Sequence, residues 1–231
     1  MVLDMTRVLH DRGTLWLGVA STAGAVLGLL LWPFLGASWF MDEGNLAAQP
    51  APARAWANAV IDGFPAAFDW GTWHEAYLLY GSIFAFVFPA LLAGVIGLHR
   101  LQKRLGGRVE TVGFWLVATS LALGTVGAFT AFYTPLLDVA FFAFLVPSML
   151  LTIIGFPVFG IGALKARIVP RGLAVLMMIG GFPGFPLLSW LLGHNSAAFI
   201  PINVAMLLVG LRLVARSRQP VALTRGTRLQ A

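Results

Sequence analysis

The stretch "FAFVFPALLAGVIG", Phe84 to Gly97, returns in like pattern as "FAFLVPSMLLTIIG", Phe142 to Gly155. Phe84, Ala85, Phe86, Pro89, Leu92, Ile96 and Gly97 match Phe142, Ala143, Phe144, Pro147, Leu150, Ile154 and Gly155. Each copy lies inside an apolar run longer than the ~18 residues that mark a membrane span. In hydrocarbon, backbone N–H and C=O groups find no water, so each run must close its hydrogen bonds internally, as a helix does. The two prolines mark where that ladder is cut. A proline at i removes the bond to the carbonyl at i−4 and crowds it. Alanine stands at that position in both copies, Ala85 and Ala143, which leaves room for a bend.

Six such runs follow from the same reading: Thr14–Gly36, Ala76–Leu98, Thr111–Tyr133, Val139–Ala163, Leu173–Leu192 and Ala197–Val214. No short alternating strands accompany them, as a barrel would require. The fold class is therefore all-α: a polytopic membrane protein with six transmembrane helices over residues 14–214. The copies lie on spans two and four, which run the same way, so the repeat is a parallel helical hairpin. Ala197 and Pro201 keep the same offset and suggest a faded third copy on span six. The fifth run holds "GGFPGFP", Gly180 to Pro186, and cannot be one regular helix. The first run exceeds the ~7–15 apolar residues of a signal peptide, so it reads as an uncleaved span.

Composition agrees. Of 231 residues, 59% are hydrophobic and only 10% charged, against roughly 25% charged in soluble domains. Mean hydropathy is +0.86. The net charge of +6 does not point to nucleic acid, because the basic residues sit at span ends. Arg7 and Arg12, then Arg100, Lys103, Arg104 and Arg108, then Lys165, Arg167 and Arg171, and finally Arg212 to Arg228 all fall on one side of a six-span chain. Asp42, Glu43, Asp62, Asp69 and Glu75 fall on the other side, with Arg54 alone among the cations. The positive-inside rule then makes both termini cytoplasmic. Residues 1–13 form a cytoplasmic N-terminus, 37–73 an external loop, and 215–231 a basic tail expected to be disordered. Within the loop, Trp56, Val60 and Phe64 fall on one helical stripe, which predicts a short amphipathic helix over the outer end. The chain has no cysteine, which excludes disulfides, thiol catalysis, Fe–S clusters and cysteine zinc sites.

Two groups of residues are candidates for chemistry. Paired interrupted helices are a sequence pointer to a binding site in repeat-built transporters. Pro89 and Pro147 are therefore cavity candidates, with Ser148 beside the second proline and Asn203 just past Pro201. Ser148 is placed to satisfy freed backbone, and Asn203 to make a polar contact in a cavity or an interhelical hydrogen bond. The second group is external: His74, Glu75, Asp138 and His194, two histidines and two carboxylates of the kind that hold catalytic zinc. Each also starts a helix. "TWHE", Thr72 to Glu75, fits a capping box, and Asp138 with Asn195 or Ser196 fits N-caps. Capping leaves both histidines unexplained. Haem between His74 and His194 is disfavoured because both lie at the interface, and no cofactor is expected. No charged residue falls deep within a run, which argues against a proton relay or ion-coupled pump.

Small residues at four-residue spacing mark packing faces: Gly24 and Gly28 on span one, and Ser120, Gly124 and Ala128 on span three. These serve internal packing by default, or contact with a membrane partner or a second copy. The stretch "ALKARIVPRGLAVLMMIGG", Ala163 to Gly181, resembles one in uncharacterised bacterial six-helix membrane proteins. The resemblance implies a bacterial cytoplasmic-membrane location and carries over no active site. Three readings follow: an accessory or structural subunit of a membrane complex, a small-molecule binding or transport bundle, and an outer-face metal-dependent hydrolase.

Overall fold

The computed structural model describes residues 2–42, 46–69 and 71–218, with side chains from residue 12 onward. Glu43, Trp70, the side chain of Arg7 and the basic tail from residue 219 lie outside the described residues. Among the described residues the chain is helical and has no strand. Five stretches are long and apolar enough to cross a membrane: Arg12–Asp42, Trp73–Gln102, Gly107–Tyr133, Leu137–Ala166 and Ile200–Ser217. A bent pair, Arg171–Gly181 with Gly184–Leu192, makes a sixth if counted as one span.

The first span belongs to α1, Val2–Asp42, which outruns the expected Thr14–Gly36 at both ends. Its outer extension is held by burial: Leu35, Ala37 and Phe40 are covered by later parts of the chain. Next comes α2, Ala51–Gly63, the amphipathic helix of the external loop. Ala53 and Ala57 are its buried residues and pack with Phe40, while Trp56 and Val60 flank them. Phe64 ends the helix rather than continuing the stripe.

The repeated line is resolved in two different ways. In the first copy, α3 (Trp73–Phe84) stops and α4 (Val87–Gln102) restarts after a turn at Ala85 and Phe86. Phe86 N–H donates to Ile83 O at 3.2 Å, three residues back, so the chain is overwound before Pro89. α5 is Gly107–Tyr133, and after it α6, Leu137–Ala140, leads into the second copy. There the helix widens into a π-turn, Phe141–Leu145, before α7, Val146–Ala166. Val146 N–H reaches back five residues to Phe141 O, so the chain is underwound before Pro147. Both distortions do one job, since each relieves the crowding of a proline ring against the carbonyl at i−4.

The third copy follows the first. α10, Asn195–Ala198, gives way at Phe199 to α11, Ile200–Ser217, and Phe199 N–H donates to Ser196 O at 3.3 Å. Between α7 and α10, "GGFPGFP" breaks as expected, with α8 (Arg171–Gly181) and α9 (Gly184–Leu192) bent by 57° across a cis Phe182–Pro183 bond.

Each span packs on its neighbours in sequence, and the last closes on the first: α1 with α3 and α4, these with α5, α5 with α7, α7 with α8, α8 with α11, and α11 with α1. Small residues make the seams. Gly18 and Gly210 bring α1 and α11 into backbone contact, Gly24 admits Ala90, and Gly28 admits Asn203. Ser120, Gly124 and Ala128 are buried against the chain's own helices, so these faces are occupied within one molecule. The outside is apolar: Phe142 is 70% exposed and Trp190 68%. Such a surface suits lipid rather than water.

Candidate functional site

At the end of the bundle that carries the loop after α1, helix starts decide where the four candidate ligands go. Thr72 caps α3, accepting from Glu75 N–H at 3.2 Å, while the Glu75 carboxylate accepts from Thr72 N–H at 2.7 Å. The capping box is therefore formed. His74 donates from Nδ1 to Asp42 Oδ2 at 2.8 Å, joining the end of α1 to the start of α3. Asp138 lies in the first turn of α6 but does not cap it; Leu136 is the N-cap, and its N–H is taken by the Thr134 hydroxyl. A carboxylate in that turn still faces the positive end of the helix.

His194, not Asn195 or Ser196, is the N-cap of α10. Its Nδ1 accepts from Ser196 N–H at 3.2 Å and lies 2.7 Å from Ser196 Oγ, while that hydroxyl donates to Trp32 O at 3.1 Å. The ring sits between Trp39 and Phe40, with centroids at 5.4 and 6.4 Å. Burial lowers the His194 pKa from 6.5 to about 4, so the imidazole is neutral and free to accept. Trp56 of α2 donates its indole N–H to Leu192 O at 3.2 Å and packs on Trp32 and Phe40. The loop between α1 and α3 is thus pinned over this end of the bundle. Among the described residues no three His, Cys, Asp or Glu side chains gather as a metal site.

The proline-side candidates are drawn together by α5. A Cβ on Gly124 would lie 2.5 Å from a Phe88 ring carbon and 2.9 Å from Ser148 Oγ, so the neighbours of both prolines press on one glycine. Ser148 does not serve the carbonyl freed by Pro147. Its hydroxyl donates to Ser120 O at 2.8 Å, and the Ser120 hydroxyl donates back to Ser148 O at 2.7 Å. Thr152 completes the clamp, 2.6 Å from Ser120 Oγ. Phe88 packs edge-on to Phe199, and Phe199 to Phe185, across the middle of the bundle. Asn203 is 0% exposed, and neither its Oδ1 nor its Nδ2 has a hydrogen-bond partner. The interhelical hydrogen bond expected of it is not made.

One further cluster lies at the opposite end, where α4 meets α5. Glu110, on the first turn of α5, is 0% exposed. His99 donates from Nδ1 to Glu110 Oε1 at 2.7 Å, and Gln102 donates from Nε2 to the same oxygen at 3.2 Å. The His99 ring, 19% exposed, stacks on Phe114 at 3.8 Å. Gly106 and Gly162 make the space, since a Cβ on either would collide with Glu110. Glu110 Oε2 and Gln102 Oε1 have no hydrogen-bond partner. Two unmet acceptors beside an imidazole can take a proton, a donor or a small cation. The sequence reading placed Glu110 in a loop, just outside span three, and so counted no buried charge. The signal it passed over is the pairing of His99 and Gln102 on one side of the hairpin with a carboxylate flanked by glycine.

No protein-family model matches the chain, and no curated protein or solved structure matches it either.

Proposed function

We propose that the chain is an accessory or structural subunit of a membrane complex, seated in a bacterial cytoplasmic membrane with both termini inside. The observation that carries this reading is the packing beside the paired prolines. Where a conduit would run, Phe88 and Ser148 meet on Gly124 and the Ser120–Ser148–Thr152 clamp closes the seam. A packed seam beside the prolines supports a scaffold role. Orientation rests on charge: Arg100, Lys103, Arg104 and Arg108 lie at one end with Lys165, Arg167, Arg171 and Arg216, opposite the acidic loop. Purification in mild detergent should bring down a stoichiometric protein partner. A lone chain in native electrophoresis would count against the role. Since the native chain has no cysteine, a cysteine at exposed Ala55 should react with an impermeant thiol reagent in intact cells, and one at exposed Lys103 should not.

A second reading, a small-molecule binding or transport bundle, is favoured by the unmet amide of Asn203 and the unmet oxygen of Glu110. Buried polar groups without partners are costly, and a ligand or water that meets them recovers that cost. A small molecule retained through purification would promote this reading. The hydrolase reading has the least support, because His74, Glu75 and His194 are each engaged elsewhere. Stoichiometric zinc in the wild type, lost in both His74→Ala and His194→Ala, would revive it.

A further inference from the structure

At the inner end a pocket of ≈ 430 Å³ opens where α4, the turn after α7 and α11 meet. Its floor is apolar and comes from Leu98, Val209 and Leu213, each 1% exposed. Ile168 and Val169 line another side. Its charge comes from Arg212 and Arg216, one helical turn apart on α11. Arg212 makes one long bond, from a guanidinium nitrogen to Ile168 O at 3.4 Å. Among the described residues neither arginine has a carboxylate partner. Two unpaired guanidinium groups thus stand over an apolar floor. The volume falls within the ~300–1,000 Å³ usual for small-ligand sites.

The turn that supplies Ile168 and Val169 is itself strained. Arg167 has φ 55°, in the left-handed region. A residue with a side chain holds that conformation at a cost, and such outliers gather at ligand clamps. Here the cost is borne at the bend that builds one side of the pocket.

We propose that this pocket binds an anionic amphiphile: a phosphate or carboxylate held by Arg212 and Arg216, with its apolar body against Leu98, Val209 and Leu213. The guanidinium fork matches the oxygens of either anion in paired hydrogen bonds. Basic pockets between membrane helices on the inner side take lipid headgroups on the same principle. The ligand chemistry has two sources, a membrane phospholipid or a soluble alkyl phosphate or fatty acid.

The test measures the unfolding midpoint of the detergent-solubilised protein against added probe. Phosphatidylglycerol in mixed micelles represents the lipid, dodecyl phosphate the soluble amphiphile, and inorganic phosphate the bare anion. Phosphatidylglycerol or dodecyl phosphate should raise the midpoint, and the one that acts at lower concentration identifies the source. Arg212→Gln with Arg216→Gln should weaken the apparent affinity at least tenfold. Arg104→Gln with Arg108→Gln, which removes equal charge from the same end, should change it less than twofold. If the glutamine pair elutes as misfolded protein, Arg212→Lys with Arg216→Lys carries the test. That pair keeps the charge but loses the fork, and a severalfold loss is expected. The proposal is overturned if neither amphiphile stabilises the protein or if both arginine pairs lose affinity equally. It is also overturned if inorganic phosphate protects as well as the amphiphiles do, or if the lysine pair binds like wild type.

Discussion

His194 and His99 sit at opposite ends of the bundle, and each is tied into it by a different kind of company. His194 is surrounded by Trp39, Phe40 and Ser196, with no carboxylate among its hydrogen-bond partners. It can be buried because it stays neutral and its acceptor caps a helix. His99 faces a buried carboxylate and stacks on a phenyl ring. There the burial of Glu110 depends on the histidine and on Gln102. The polar demands of His194 are therefore met by backbone and hydroxyl groups. Those of Glu110 are met across a hairpin, with groups of opposite character. A site built the second way fails more severely when one member is lost.

The sharpest way to break this contrast is His99→Leu. It removes the main partner of a fully buried carboxylate, a change that costs about 3–5 kcal/mol. Thermal unfolding in detergent should show a large fall in midpoint, and His99→Leu with Glu110→Leu together should recover much of it. A single variant that unfolds like wild type would mean that Glu110 does not need its histidine.

Next in size is the pH dependence of the outer end. The unfolded chain protonates this imidazole near 6.5, whereas the folded protein resists until about 4. The unfolded state therefore binds the proton first as pH falls. The stabilisation is complete above pH 6.5 and is lost on acidification through that window, by about 3 kcal/mol in all. His194→Asn keeps a capping side chain and removes the titration. The stability difference between wild type and this variant should shift by about 2–3 kcal/mol between pH 7.5 and 4.5. A constant difference would mean that the buried ring takes up its proton as readily as the unfolded chain does.

Smaller effects sharpen the picture. Trp56→Phe keeps an aromatic ring against Trp32 and Phe40 but drops the bond to Leu192 O, and should cost about 1 kcal/mol in chemical unfolding. His74→Ala breaks an exposed pair with Asp42 and should cost only a few tenths of a kcal/mol. If His74→Ala proved worse than Trp56→Phe, the outer end would depend on charge after all.

Much of this architecture was legible in the order of residues. Apolar run length located the helices, and proline marked where they bend. The box at Thr72 and Glu75 could be read because capping is local: both partners lie within one turn of each other. The direction of each bend could not be read. Pro89 and Pro147 follow the same Phe-Ala-Phe at the same distance, yet one copy overwinds and the other underwinds. Each bend packs against residues of other spans, Ser148 against Ser120 and Phe88 against Phe199. Glu110 escaped for a related reason. A hydropathy window sees a charge at the edge of a span, whereas burial comes from Gly106 and from Gly162, which belongs to a different helix. His194 was misread because imidazole is an uncommon cap, and only burial among aromatic rings keeps it neutral enough to serve as one.

The contact between Gly18 and Gly210 has a consequence for biogenesis. The earlier of the two helices, α1, is completed by α11, made much later. Until α11 arrives, Gly18 and Gly28 lack Gly210 and Asn203, the residues they pack on, and tertiary closure must wait for nearly two hundred residues of synthesis. A chaperone or insertase that shelters unpaired spans would hold this protein longest through α1. A nascent chain stalled just before Ile200 would present those two glycines, unpacked, to quality control.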